Sequence, residues 1–99
     1  MANRISWIDI PVADLGRAIK FYSRVLDVEV IEKFPGVAVI SFEEGEISGC
    51  LYTSDADRPS KSGVLLYFNV DGRVQDAKIA AKDNGGEIVE PVHEIGTFG

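Results

Sequence analysis

The stretch from Ile5 to Leu26, ISWIDIPVADLGRAIKFYSRVL, decides the fold. Ile5, Trp7 and Asp9 point one way and Ser6, Ile8 and Ile10 the other, the period of two that a strand imposes. Pro11, with no N–H to donate, is expected to end the ladder. Asp14 follows where a helix N-cap belongs, its carboxylate placed to accept from the first free backbone N–H groups. Behind it Leu15, Ala18, Ile19, Tyr22, Val25 and Leu26 recur at three- and four-residue spacing and so share one helical face. A strand, a capped turn and an amphipathic helix open a βαβ-type unit.

Outward from that unit, Val28 to Phe34 (VEVIEKF) alternates, and Pro35-Gly36 reads as a turn in which glycine takes the positive φ. Val37 to Glu43 (VAVISFE), β-branched and aromatic, reads as a buried strand, and Ile47 to Thr53 (ISGCLYT) as a further, weaker one. The order β-α-β-β-β with short connections implies an antiparallel meander beside the first strand. Thr53 to Gly63 is polar and aperiodic, the linker of the chain.

Beyond the linker the pattern restarts. Val64 to Val70 (VLLYFNV) is expected as a strand, Asp71 as the cap of a helix running to about Asn84, and Gly85-Gly86 as its left-handed C-cap. Glu87 to Val92 (EIVEPV) is expected as a strand broken near Pro91. Trp7 and Leu65, Val12 and Val70, and Phe21 and Ile79 are all separated by one constant offset, and Glu29-Val30-Ile31-Glu32 matches Glu87-Ile88-Val89-Glu90 at the same offset. A repeat of this length means two copies of one supersecondary unit. The fold expected is α+β: module one over 1–54, a linker over 55–62, and a C-terminally incomplete module two over 63–99.

Composition bounds the function. The chain of 99 residues carries a formal net charge of −6, which argues against a nucleic-acid partner. No apolar run approaches the ~20 residues of a membrane span, and Arg4 is followed by alternation rather than a signal-peptide core. A cytoplasmic protein is the default expectation. With one cysteine, Cys50, the chain makes no internal disulfide or multi-cysteine metal site.

The residues Val12-Ala13-Asp14-Leu15, Ala18, Phe21-Tyr22 and Val25-Leu26, with Val70-Asp71 and Gly85-Gly86-Glu87-Ile88-Val89 in the second unit, resemble the vicinal oxygen chelate superfamily. This is the glyoxalase/bleomycin resistance/dioxygenase fold. The resemblance implies two βαβββ modules forming an open, cupped sheet around a small ligand, often with a divalent metal. It also implies a homodimer, in some members with strands exchanged between chains. The metal-ligand positions it implies fall on Trp7, near Cys50 and on Leu65, with a final carboxylate on a strand outside these residues. Indole and leucine do not ligate a divalent ion, so no cofactor is expected, although a divalent metal held by other donors stays open.

Strand phase places Trp7 and Asp9 on the concave side with Cys50 and Tyr52, and Leu65, Tyr67 and Asn69 with them. Phe42 joins this aromatic cup, and His93, the single histidine, is a further candidate. Such an apolar hollow with a few polar groups is how small-molecule sites are lined. Cys50 reads as a small buried hydrophobe rather than a reactive thiol. The function expected is binding of a small organic molecule without metal, as in drug-resistance members of the family. The alternative is a metal-dependent lyase, isomerase or dioxygenase, lactoylglutathione-lyase-like.

Overall fold

The computed structural model of the chain describes residues 4–41, 47–55, 59–60 and 62–92. Six elements follow in order: β1 (Trp7–Pro11), α1 (Leu15–Leu26), β2 (Val30–Phe34), β3 (Val37–Ile40), β4 (Ser48–Tyr52) and α2 (Val74–Asp83). The four strands form one sheet in the order β1-β4-β3-β2. β2–β3 pair antiparallel across the Pro35-Gly36 turn and β3–β4 antiparallel as well, whereas β1 lies parallel beside β4. Module one is thus a complete βαβββ unit, and the architecture is α+β. Among the described residues no helix is long and apolar enough to cross a membrane.

Strand β1 ends at Pro11, as expected, and one more backbone bond to β4 follows it. The Val12 amide donates to the Tyr52 carbonyl at 2.8 Å, so residues Ile8, Ile10 and Val12 turn their backbone groups toward β4. Pro11, one step out of phase, turns its nitrogen to the free edge, where a missing N–H removes no ladder bond. The backbone groups of Trp7 and Asp9 share that edge. At Gly49 β1 and β4 come so close that an added Cβ would collide with the Ile8 carbonyl oxygen, which leaves room only for glycine.

One face of the sheet is covered by α1, and among the described residues no helix or strand lies over the other, the open face. Ala38, Ile40 and Leu51 are buried against Ala18 of α1, with Ile10, Leu15, Ile19, Tyr22 and Val30 packed around them. This is the core, and it forms because the apolar stripe of α1 meets the strand residues of one phase. Asp14 caps α1 as expected, its carboxylate accepting from the Arg17 amide at 3.1 Å.

Helix α2 packs antiparallel on α1, tied at both ends by arginines. Arg17, in the first turn of α1, donates to the Gly85 carbonyl past the end of α2 at 2.9 Å. Reciprocally Arg73, at the start of α2, donates to the carbonyls of Val25 (2.5 Å) and Arg24 (3.4 Å) at the end of α1. Each guanidinium therefore sits on the negative, carbonyl-rich end of the other helix. The two helices also end alike. Asp27 stands in the left-handed region at φ 54°, and the Val28 amide reaches the Ser23 carbonyl. Gly85, at the repeat offset from Asp27, has φ 90°, and the Gly86 amide reaches the Ala81 carbonyl at 2.7 Å. Both are Schellman-type caps, and the repeat read from the sequence is present in the backbone.

Three expectations for module two need correction. Asp71 does not cap α2: the N-cap is Arg73, and the Asp71 amide instead bonds the Asn69 side chain in the preceding turn. Val64–Val70 is not a strand, and neither is Glu87–Val92. A strand exists only with a partner. Module one pairs β1 with β4, whereas Val64–Val70 has no ladder partner among the described residues. For Glu87–Val92 the counterpart of β3 falls within 93–99, outside the described residues.

Candidate functional site

The open face carries the strand residues of the other phase. Asp9, Cys50, Val39 and Ile31 form a single row across all four strands, in register β1 to β4, β4 to β3 and β3 to β2. Trp7 stands one step along opposite Ser48, and Tyr52 lies opposite Pro11 at the other side of the row. The register therefore gives Trp7, Asp9, Cys50 and Tyr52 one phase of the sheet. Val39 and Ile31, the apolar floor of the row, were not singled out from sequence. Their alternation in VAVI and VIEKF carried the signal, but the face follows only from the strand order.

Three of these side chains touch. Trp7 Nε1 donates to Asp9 Oδ1 at 2.5 Å, an i, i+2 contact on one strand face, and Cys50 Sγ donates to the same oxygen at 3.1 Å. Trp7 is 48% exposed and Cys50 only 7%. Burial, then the hydrogen bond and the negative charge of Asp9, push the Cys50 thiol up to about 11. At neutral pH it is a protonated donor and not a nucleophile, in keeping with its reading as a small buried hydrophobe. Both donors to Asp9 are neutral, so they hold the carboxylate without compensating its charge.

The second-module residues are placed differently. Leu65 and Tyr67 are 78% and 82% exposed, whereas Leu66 and Phe68 are 40% and 38% exposed. Phe68 makes an edge contact with Tyr22 of α1, ring centroids 6.0 Å apart. The alternation expected of a strand thus survives without a ladder, but nothing draws Leu65 or Tyr67 to the Trp7–Asp9 face. Asn69 turns its carbonyl oxygen back on its own turn, a local role in place of the expected cup position. Phe42 and His93 lie outside the described residues.

A divalent ion does not fit this face as it stands. Among the described residues no three His, Cys, Asp or Glu side chains are grouped to hold one. The indole of Trp7 is committed as a donor, Leu65 has no ligating atom, and Asp9 and Cys50 alone offer two donors where three protein ligands are usual.

A solved structure resembles the whole chain: an integron cassette protein from the mobile metagenome of V. cholerae, at TM-score 0.56 and 20% identity, covering 100% of this chain and 81% of that one. At that identity the likeness shows the fold alone. No curated protein matches the chain. The model of the Glyoxalase/Bleomycin resistance protein/Dioxygenase superfamily matches residues 4–98, nearly the full length. With one complete βαβββ module and a second copy of its helix and cap, the chain belongs to that superfamily.

Proposed function

We propose that this chain binds a small organic molecule on the open face of its sheet, with Trp7 as the aromatic wall and Asp9 as the polar anchor. The observation that carries the reading is the Trp7–Asp9–Cys50 contact set on a face that neither helix covers. Such a mixture of aromatic surface and one oriented polar group is typical of ligand sites. Binding needs no metal, because the donor set on this face serves hydrogen bonding and packing. Sequestration of the ligand, without chemistry, is the activity this arrangement supports best.

A second copy of the chain completes the cup in this reading. Among the described residues, the outer edge of β1 has no strand beside it and the Val64–Tyr67 run has little apolar cover. Laid along β1, the partner's Val64–Val70 segment brings Leu65 and Tyr67 over the edge of the face.

The chain has a single tryptophan, so Trp7 reports on the site directly. Titrating a fragment library against Trp7 fluorescence should give saturable changes for a subset of aromatic compounds, lost in Asp9→Ala. A library that leaves both the fluorescence and the melting temperature unmoved sinks the reading. The metal-dependent lyase alternative requires donors beyond Asp9 and Cys50. Stoichiometric zinc, nickel, iron or manganese in chelator-free protein would restore it.

A further inference from the structure

Among the described residues of the open face, Asp9 is the carboxylate held by two side-chain donors, and the sign of its charge constrains what sits against it. Asp9 Oδ1 is fixed by two donors, Trp7 Nε1 and Cys50 Sγ. Both are neutral, so they orient the carboxylate without cancelling its charge, and Oδ2 has no hydrogen-bond partner among the described residues. Beside it lies the exposed indole of Trp7, whose π face attracts cations. Along the same row the floor is apolar, Val39 and Ile31. The whole chain adds a formal charge of −6, which attracts cations and repels anions over the distance of a Debye length.

We infer that the ligand of the open face is an organic cation: a planar or bulky apolar molecule bearing an ammonium or amidinium-type charge, seated with its apolar body on Val39 and Ile31 and its charge between the Trp7 ring and Asp9 Oδ2. An anionic ligand meets a charge of its own sign, with no cationic side chain bonded to Asp9 among the described residues to offset it. A neutral ligand gains the apolar contact but leaves the carboxylate without a counter-charge. This inference rests on the open face being a ligand site and adds the chemical class of what it holds.

The lone tryptophan makes the test direct, because its indole N–H gives one resolved resonance in a proton–nitrogen correlation spectrum. Three matched probes are titrated at low salt: phenyltrimethylammonium, its neutral isostere tert-butylbenzene, and benzoate. The cation should shift the indole resonance with an affinity about tenfold above the neutral isostere, benzoate should bind least, and the preference should shrink as sodium chloride is raised. Asp9→Asn, a substitution of an exposed residue, should bring cation and isostere to within about twofold of each other. Equal binding of cation and isostere by the unaltered chain, or a preference that survives Asp9→Asn, overturns the inference while leaving the open-face site standing. If no probe moves the indole resonance, the site itself is wrong, and the inference falls with it.

Discussion

Residues 7–52 and 64–92 carry the same pattern at one constant offset, and both build a helix closed by a left-handed cap, yet the sheet is made by the first set alone. The difference lies in where the hydrogen bonds close. A helix satisfies its own backbone within four residues and then needs only an apolar stripe and a cap. α2 finds all of these on α1. A strand satisfies nothing by itself, and β1 exists because β4 lies beside it. Val64–Val70 is as β-prone as any strand in the chain but has no ladder partner among the described residues. Its exposed Val64, Leu65 and Tyr67 are what an unpaired strand sequence leaves behind.

That contrast is sharpest at the core. Leu51 is fully buried under α1, whereas Leu65 is exposed. Leu51→Ala should destabilise the chain by about 2–5 kcal/mol through lost burial and a cavity, read from urea unfolding at low protein concentration. Leu65→Ala under the same conditions should fall within about 0.5 kcal/mol of the parent. At high concentration the outcome should change. If the partner's edge covers Leu65, its truncation lowers the concentration dependence of the melting temperature, and light scattering should show less dimer. Equal losses from both variants in dilute protein would mean that the second half is better packed than its exposure implies.

The caps come next. Gly85 stands at φ 90°, and an added Cβ would come within 2.9 Å of the Arg17 guanidinium. Gly85→Ala should therefore cost about 1–2 kcal/mol from the backbone conformation, with a further loss if Arg17 is displaced from its carbonyl. The matching position in module one is Asp27, which already tolerates the left-handed region. Asp27→Gly should gain no more than about 0.5 kcal/mol. A large gain there would show that the two caps are less alike than their hydrogen bonds indicate. The arginine ties are smaller still: Arg73→Ala should cost about 1 kcal/mol, since its bonds are partly shielded, and Arg17→Ala, with one exposed bond, less.

Legibility in the sequence followed the same division. The Asp14 cap, the α1 stripe and the Gly85-Gly86 terminus were readable because each is specified within a window of a few residues, and the two-fold repeat because it compares such windows with one another. The shared phase of Trp7 and Asp9 was readable for the same reason, and a strand's period of two carried it to Cys50 and Tyr52. What was not readable is what depends on distant partners: the loss of strand character at Val64–Val70 and Glu87–Val92, and the joining of Ile31 and Val39 to the Asp9 row. The displaced cap of α2 is a nearer miss. Asn69 offers the Asp71 amide a local bond, and this competing turn delays the helix to Val74.

The two halves differ last in chemistry: at the repeat offset Trp7 and Asp9 correspond to Leu65 and Tyr67, so the charge belongs to module one alone. Cys50 reads that charge out. Its thiol titrates at about 11 because of burial first and Asp9 second. The unfolded chain ionises the thiol at lower pH than the folded chain does, so the folded state binds more protons between the ordinary thiol range and about 11. Stability is then unaffected by this group at neutral pH and falls as pH rises through that window. Alkylation by iodoacetamide should be slow at pH 8 and accelerate only toward pH 11. Asp9→Asn removes the charge, and the acceleration should move to lower pH while burial keeps it above that of a free thiol. Unchanged kinetics in that variant would mean that burial alone sets the thiol, and that the Asp9 carboxylate does not govern the face it stands on.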